Sequence, residues 1–262
     1  MLPACALACA RDRRPATSDT LSSGRASSSA SSSAGTAGWR AVVWEAHAGV
    51  DPGDLGRGVA FLEVGENKGA RDVEDTLMLR SSPDSGAPPV GAMLLALSPN
   101  GGPAYRVAAP DSLRPNLVEY GYEESGVPFD STDAAGRWAR GILGFRGDGS
   151  SVTGWIDTQA PGVGSVRWAE QLADRPIFFP KPEQAAFYSE PDSTRRVPTP
   201  PNEPEYAIYP VEARGSWLRV RVVQPSDNCV GPDSIPRRTR MLWIQYLDDR
   251  GRPNVWYYTR GC

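Results

Sequence analysis

Short apolar runs separated by turn residues recur along the chain from Trp39 onward. Such runs, rich in β-branched and aromatic residues and bounded by Gly, Pro, Asn or Asp, are typical of β-strands. The clearest pair is 241–247 and 254–259, which flank turn residues at 248–253, and we interpret them as a β-hairpin. Because large apolar side chains fall on both faces of 241–247, we expect this strand to be buried on both sides.

The same pattern predicts strands through most of the remaining chain. The 27 Gly and 25 Pro residues mostly separate apolar runs, as in all-β proteins with many turns. The best helix candidate is short, spans 163–175 and would link two halves of the chain. We therefore predict an all-β fold. The other predicted strands are 39–46, 58–64, 90–97, 118–124, 136–143 and 152–157.

Composition divides the chain into five predicted segments. Residues 10–38 are mostly Ser, Ala and Gly, and such a segment cannot bury enough surface to offset its ordering entropy, so we predict a disordered linker. The segments are 1–9, a truncated signal or lipobox-like stretch; 10–38, the linker; 39–162, a first β module with an N-terminal strand extension; 163–176, a short helical linker; and 177–262, a second β module.

Two cysteines lie near the N-terminus, in Leu2-Pro3-Ala4-Cys5 and Ala6-Leu7-Ala8-Cys9. Each sequence is similar to the lipobox of bacterial lipoproteins, which marks Cys5 or Cys9 as a candidate for lipidation. Our hypothesis is that the true signal begins upstream of residue 1. A disordered N-terminus without function is an equally weighted alternative. A metal site is less favoured, because no His or further Cys lies nearby.

The two halves repeat the same short motifs in the same order. The first half carries its long insertion between the first two motifs, and the second half carries a shorter one between the last two. The matched stretches are 79–84 with 187–192, 136–140 with 215–219, and 154–157 with 242–245.

This motif order resembles bacterial SH3-like domains. Trp217-Leu218-Arg219-Val220 and Gly154-Trp155-Ile156 carry the resemblance, which covers roughly residues 72–160 and 177–262. It implies two tandem SH3-like small barrels, here with loops longer than is usual in the family. Family members bind peptidoglycan peptides, other wall polymers or proteins, often beside a separate catalytic domain. The resemblance thus implies a binding module.

The remaining cysteines, Cys229 and Cys262, both fall in the second module. We predict a disulfide between them, which would contribute on the order of 3–4 kcal/mol through loop closure. Free thiols are the alternative. A disulfide requires an oxidising compartment, so we expect an exported protein, in the bacterial periplasm or as an outer-membrane lipoprotein.

Residues that could perform catalysis are few. His47, the only histidine, has no Ser, Cys or carboxylate motif around it. The carboxylate pairs Glu123-Glu124 and Asp248-Asp249 are adjacent in sequence, so their side chains point apart on a strand or turn. The Asp51–Asp54 stretch lacks the ligand number that Ca²⁺ needs. We predict a protein that is not an enzyme and has no cofactor and no metal.

The charge pattern argues against nucleic acid as a partner. The net charge is −3, and the second module has only a small excess of basic residues, whereas nucleic-acid modules present a strongly basic face. A basic run at 237–240, with Arg195, Arg196, Arg219 and Arg221, remains a candidate site for an acidic polymer or a peptide carboxylate. No apolar run approaches the roughly 20 residues that span a bilayer, so we expect membrane attachment only through an N-terminal lipid.

We predict a non-catalytic envelope binding or scaffold protein that recognises peptidoglycan peptide or an envelope protein. One alternative is a wall hydrolase with catalytic residues in 39–72 and 85–117. The other is a structural protein without a ligand, which a large apolar interface between the halves would favour. SH3-like barrels bind peptides in aromatic-lined grooves, and the candidate ligand-binding residues are Tyr120, Tyr122, Tyr206, Tyr209, Trp256 and Tyr258.

Overall fold

The computed structural model describes residues 39–43, 55–63, 75–97, 102–109, 113–201, 205–227 and 236–258. All of them belong to one compact unit, Ala34–Cys262. Nearly all regular structure is β, in two antiparallel sheets, which confirms the predicted all-β class. In these ranges no helix has the length and apolar character needed to cross a membrane.

The first sheet contains eleven strands. The central path runs in the order β1-β5-β4-β3-β10-β9-β8-β2-β11, while β6 pairs with β9 and β7 pairs with β8. Half of the neighbours along the path are consecutive in sequence, namely β3-β4, β4-β5, β8-β9 and β9-β10, and the others pair strands that are distant in sequence. The strands are β1 Arg40–Val43, β2 Gly58–Leu62, β3 Asp75–Arg80, β4 Pro89–Leu97, β5 Pro103–Ala109, β6 Arg114–Pro115, β7 Val118–Gly121, β8 Glu124–Thr132, β9 Trp138–Phe145, β10 Ser151–Asp157 and β11 Val163–Arg167.

The second sheet has seven strands in the order β14-β13-β17-β16-β15-β12-β18. Its pairings form an open path, so the barrel closure that the SH3-like resemblance implies is not shown. A short helix, α1 Trp168–Gln171, precedes this sheet, and a 3₁₀ turn lies at Pro182–Gln184. The strands are β12 Ile177–Phe178, β13 Phe187–Tyr188, β14 Arg196–Val197, β15 Ala207–Arg214, β16 Trp217–Gln224, β17 Arg238–Gln245 and β18 Trp256–Tyr257.

Both sheets contain the same arrangement of three strands at the motifs aligned from sequence. In the first sheet β3, β10 and β9 are neighbours, and Trp155 pairs with Arg80 on one side and Arg140 on the other. In the second sheet β13, β17 and β16 are neighbours, and Trp243 pairs with Tyr188 and with Arg219. Each tryptophan therefore occupies the same register position in its sheet.

The predicted C-terminal hairpin requires correction. Residues Leu242, Trp243 and Ile244 are buried in succession, so β17 is covered on both faces there, whereas its residues from Arg238 to Met241 are exposed. The turn forms at 248–253. The returning chain meets the first strand at an isolated bridge between Leu247 and Pro253, and Asn254 donates its backbone N–H to the Tyr246 carbonyl and its Nδ2 to the Gln245 carbonyl. No continuous ladder forms between the two predicted strands in the part of the chain that the structure describes. Proline has no backbone N–H to donate, and β18 instead pairs with β12.

The predicted helix over 163–175 also differs from the structure. Val163–Arg167 forms β11, which pairs along its full length with β2, and only Trp168–Gln171 is helical. Helix propensity is a weak preference that tertiary pairing overrides. The segment between the halves therefore begins as a strand of the first sheet and contains a single helical turn.

One hydrophobic core joins the two sheets. Val59 and Tyr120 from the first sheet pack in the same cluster as Phe187 and Leu218 from the second, with Trp168 of α1 fully buried among them. A separate cluster fills the rest of the first sheet. The halves are therefore packed on each other through a shared apolar core and not only tethered.

A buried polar node lies at the edge of this shared core. The backbone carbonyl of Tyr120 accepts hydrogen bonds from the Tyr257 hydroxyl at 2.7 Å, from Gln171 Nε2 at 3.1 Å and from Arg175 Nη1 at 3.4 Å. The Arg175 guanidinium also lies 4.9 Å from the centroid of the Tyr257 ring. Burial raises the pKa of Tyr257 to about 12, so the hydroxyl remains a donor at neutral pH.

We expect Tyr257→Phe to lower the free energy of unfolding by about 1–2 kcal/mol, because the buried Tyr120 carbonyl loses its shortest partner. Denaturant unfolding measures the change. Tyr258→Phe is the matched control, since Tyr258 is 49% exposed and its loss of a hydroxyl should change stability little. Equal effects of the two substitutions would contradict a special role for the node.

Candidate functional site

The outer face of the second sheet carries a row of arginine and aromatic residues. Directly opposed residues of antiparallel strands share a face. Leu218 and Ile244 oppose each other in the core, so their neighbours in sequence, Arg219 and Trp243, project from the other side. Trp243 is only 7% exposed there and lies beneath the Arg214 guanidinium. The pairings of β15, β13 and β14 extend this outer row, which consists of Glu212, Arg219, Trp243, Tyr188 and Arg196.

A second outer row crosses β15, β16 and β17 beside the first. Tyr209 opposes Arg221, which in turn opposes Met241. The register of β15 shifts between Pro210 and Glu212, which leaves Val211 as an extra residue that is 54% exposed. We define the arginine–aromatic face by the six residues that carry its charge and rings, which are Tyr209, Arg214, Trp217, Arg219, Arg221 and Trp243.

Two arginines of this face are stacked on aromatic rings. The guanidinium carbon of Arg221 lies 4.4 Å from the Tyr209 ring centroid, and that of Arg214 lies 5.1 Å from the Trp243 ring centroid. Stacking holds the plane of the guanidinium while the N–H groups at its edge stay able to donate. A guanidinium held in this way is suited to bidentate hydrogen bonding with a carboxylate.

The face carries more positive than negative charge. Glu212 is the acidic member of the outer row; its carboxylate lies 2.6 Å from Arg214 Nε and 3.8 Å from Arg219 Nη1. The Arg214 and Arg219 side chains remain 60% and 44% exposed. One carboxylate shared by two exposed arginines leaves the face with a surplus of positive charge that favours an anionic ligand.

Tyr209 is held at the margin of the face by its hydroxyl, which donates a short hydrogen bond of 2.5 Å to Asp227 Oδ1. Burial and the hydrogen bond to Asp227 raise the pKa of Tyr209 to about 12, while Arg221 and Arg237 act in the opposite direction. The phenol therefore stays neutral near pH 7, and its ring is a fixed support for the Arg221 guanidinium.

The equivalent position in the first sheet is occupied differently. Arg140 aligns with Arg219, but its guanidinium donates to Asp130 Oδ2 and to Thr153 Oγ1, each at 3.3 Å. Arg80 donates through Nη1 to the backbone carbonyl of Ala87 at 2.8 Å. Both arginines beside Trp155 thus donate hydrogen bonds within their own sheet. In the second sheet Arg214 and Arg219 share the single carboxylate of Glu212, and Arg221 is held by the Tyr209 ring, so this sheet presents the stronger candidate surface.

Three of the predicted ligand-binding aromatics pack toward the interior. Tyr120 is buried and stacks on Phe61, with a centroid distance of 4.3 Å. Trp256 is 3% exposed and meets Trp168 edge-on at 4.9 Å. Tyr206 is half-buried against Phe187. These placements give the three rings packing contacts, and ligand binding by them stays a prediction.

The other three predicted aromatics lie at the surface but not together. Tyr122 is 67% exposed near the turn between β7 and β8, and Tyr258 is 49% exposed beside Phe178. Of the six predicted residues, only Tyr209 belongs to the arginine–aromatic face. The basic run gave a partial signal for this face through Arg219 and Arg221, whereas Arg214, Trp217 and Trp243 were not singled out as ligand-binding residues.

Several sequence predictions fall outside the described residues, namely His47, the Asp51–Asp54 stretch, both lipidation candidates Cys5 and Cys9, and the disulfide pair Cys229 and Cys262. Within the described ranges, no group of three or more His, Cys, Asp or Glu residues is placed to hold a metal ion.

In the predicted carboxylate pair Asp248-Asp249, the Asp248 carboxylate accepts hydrogen bonds within its own turn. Its Oδ1 accepts from the backbone N–H groups of Arg250 and Arg252, and its Oδ2 from Arg252 Nε. These bonds fix the turn after β17.

Comparison with protein-family models, with curated proteins and with solved structures found no significant match to this chain.

Proposed function

We propose that the protein is a non-catalytic binding protein of the bacterial cell envelope, and that its arginine–aromatic face recognises a carboxylate-bearing ligand. The observation that carries the proposal is the stacking of Arg221 on Tyr209 and of Arg214 on Trp243 on an outer sheet face. The peptide carboxylates of peptidoglycan, or acidic side chains of an envelope protein, are ligands of the required chemistry.

The physical basis is preorganisation. An isolated arginine side chain must be ordered when it binds, and each immobilised side chain of this length loses about 0.5–1.5 kcal/mol. In this protein the Trp243 and Tyr209 rings already order the guanidinium groups of Arg214 and Arg221, so binding a ligand orders these side chains less. Adjacent aromatic rings, such as Tyr188 edge-on to Trp217 at 5.0 Å, add apolar surface against which the backbone of a peptide can pack.

The proposed setting rests on the resemblance to bacterial SH3-like domains and on the lipobox-like N-terminus. The recurrence of one three-strand register in both sheets, at Trp155 and at Trp243, supports a tandem origin of the two halves. We propose a periplasmic or outer-membrane-attached location.

Co-sedimentation of the full chain with insoluble peptidoglycan tests this function. We expect saturable pelleting that weakens as salt rises, because the contacts are between exposed charges. The double variant Arg219→Gln with Arg221→Gln should bind about tenfold more weakly, equivalent to ~1.4 kcal/mol.

Arg140→Gln is the matched control, since Arg140 takes the aligned position in the first sheet with its guanidinium engaged by Asp130 and Thr153. Its pelleting should match the unsubstituted protein. If the folded protein does not pellet at any salt concentration, the wall-binding proposal fails.

A second candidate function is a structural protein without a ligand. The shared core, in which Trp168 packs with residues of both sheets, favours it, because a large apolar interface between the halves is what that alternative requires. Absence of binding both to peptidoglycan and to envelope proteins, in a protein that unfolds as one unit, would support this candidate over the first.

A further inference from the structure

The two edges of β17 are paired very differently. On one side β16 pairs with all eight residues, from Arg238 through Gln245. On the other side β13 pairs with β17 only at Trp243. In the part of the chain that the structure describes, Arg238–Leu242 therefore has no strand partner along this second edge, although alternate N–H and C=O groups of a strand point toward such an edge.

The neighbouring hairpin explains why the pairing stops. Tyr188 is the last residue of β13, and the next residue, Ser189, donates its backbone N–H to the carbonyl of Arg195 at 3.0 Å. Glu190 is the next residue whose backbone groups would face β17, and its carbonyl instead accepts the N–H of Asp192 within the turn at 2.8 Å. The chain therefore turns back into β14 and does not continue alongside β17.

The side chains along this open edge alternate in chemistry. Arg238 and Arg240 oppose Gln224 and Val222 and so lie on one face, whereas Thr239 and Met241 lie on the other. All four are exposed, and Met241 is 43% exposed. A strand added to the edge would place its own alternate side chains beside the two arginines and beside Met241.

We propose that the Arg238–Leu242 edge of β17 binds an extended peptide with carboxylate side chains at alternate positions. The backbone of the peptide adds a strand to the sheet. Its acidic side chains pair with Arg238 and Arg240, and its intervening apolar side chains contact Met241. The charge of the edge selects an acidic peptide over a basic one, because like charges placed opposite each other are destabilising.

This proposal concerns the edge of β17, which adjoins the arginine–aromatic face where Met241 opposes Arg221, and it does not depend on wall binding. A competing account is that the two arginines protect an open edge from pairing with another copy of the chain, as charged residues on edge strands do. The first account predicts that removing the arginines abolishes peptide binding, and the second predicts that it causes self-association, so the Arg238→Gln, Arg240→Gln double variant separates them.

The test uses the full chain and a synthetic peptide with the repeat Glu-Val-Glu-Val-Glu, with affinity measured by calorimetry. Two control peptides separate the contribution of the alternating charges from that of the backbone hydrogen bonds. A peptide of the same composition with its glutamates contiguous removes the alternation. A peptide of the same sequence with N-methylated amides keeps the charges and removes the backbone donors.

We expect the alternating peptide to bind at least tenfold more tightly than either control, and to slow hydrogen exchange of amides in β17. The double variant Arg238→Gln with Arg240→Gln should lose at least tenfold in peptide affinity and keep its pelleting with peptidoglycan. Arg140→Gln should bind the peptide as the unsubstituted protein does.

Three outcomes would overturn the proposal. The first is no binding of the alternating peptide, and the second is equal binding of the N-methylated peptide. The third is that the Arg238→Gln, Arg240→Gln variant self-associates while the unsubstituted protein binds no peptide. This result would assign the two arginines to protection of the edge. None of these outcomes bears on wall binding, which the pelleting assay reports separately.

Discussion

Replacing Trp168 with alanine is expected to lower the free energy of unfolding by about 3–5 kcal/mol, the range for deletion of a buried Trp side chain. Trp168 is fully buried in the core that joins the sheets and meets Trp256 edge-on at 4.9 Å. Its indole Nε1 donates to the Leu55 carbonyl at 2.7 Å. The substitution therefore opens a cavity and removes a buried hydrogen bond together.

Urea unfolding, followed separately by circular dichroism and by tryptophan fluorescence, checks this expectation. Because the two sheets share this core, both probes should report one transition, and its midpoint in Trp168→Ala should lie at a lower urea concentration than in the unsubstituted protein. Trp168→Phe fills most of the site and removes only the N–H donor and part of the ring, so we expect a smaller loss, about 2 kcal/mol. This second variant keeps the test informative if Trp168→Ala does not fold.

Tyr122→Ala is the control, because it also removes an aromatic ring but from a side chain that is 67% exposed. Its unfolding midpoint should stay close to that of the unsubstituted protein. Two separate transitions, with Trp168→Ala shifting only one of them, would show that the halves are independent modules and would contradict a shared core.

The strands that could be predicted from sequence are those whose signal is local. The apolar run around Trp243 predicted a strand covered on both faces, and Leu242, Trp243 and Ile244 are buried in succession. Its pairing could not be predicted in the same way. Trp256 follows a good turn, yet β18 pairs with β12, and a partner so distant in sequence leaves no mark in the local pattern.

The misassigned helix illustrates the same limit. Residues 163–167 could continue into the helical turn that begins at Trp168, and only the long-range pairing with β2 makes them extended. The shared core could not be predicted either. The sequence around Tyr120 alternates apolar and polar residues, which indicates that one face of this strand is buried, but not that this face meets the second sheet.

The sequence alone indicates part of the arginine–aromatic face. Alternation in Trp217-Leu218-Arg219-Val220-Arg221 places the arginines on the polar face of a strand. The stacking of Arg214 on Trp243 depends on the register shift at Val211, because a one-residue slip would send the side chains to opposite faces. Bulges of this kind are set by the assembled sheet and are not evident from the sequence of one strand.

The turn before β2 gives the second large stability effect, at Gly56. Its φ is +58°, a conformation in which an L-residue is disfavoured by about 1–2 kcal/mol. A Cβ at this position would also overlap the backbone carbonyl of Phe129. That carbonyl is not free to move, because it accepts the N–H of Arg57 at 2.7 Å.

Gly215 provides an unusually close comparison for Gly56→Ala, since its φ is +59° and a Cβ there would have no neighbour within 4 Å. Gly215→Ala should therefore show the conformational effect alone, about 1–2 kcal/mol. Gly56→Ala should show that effect plus about 1–3 kcal/mol for the overlap. Denaturant unfolding of the two variants gives the difference directly. Equal losses would mean that the close approach of this turn to Phe129 contributes nothing to stability, and that β2 and β8 can separate locally without disturbing the sheet.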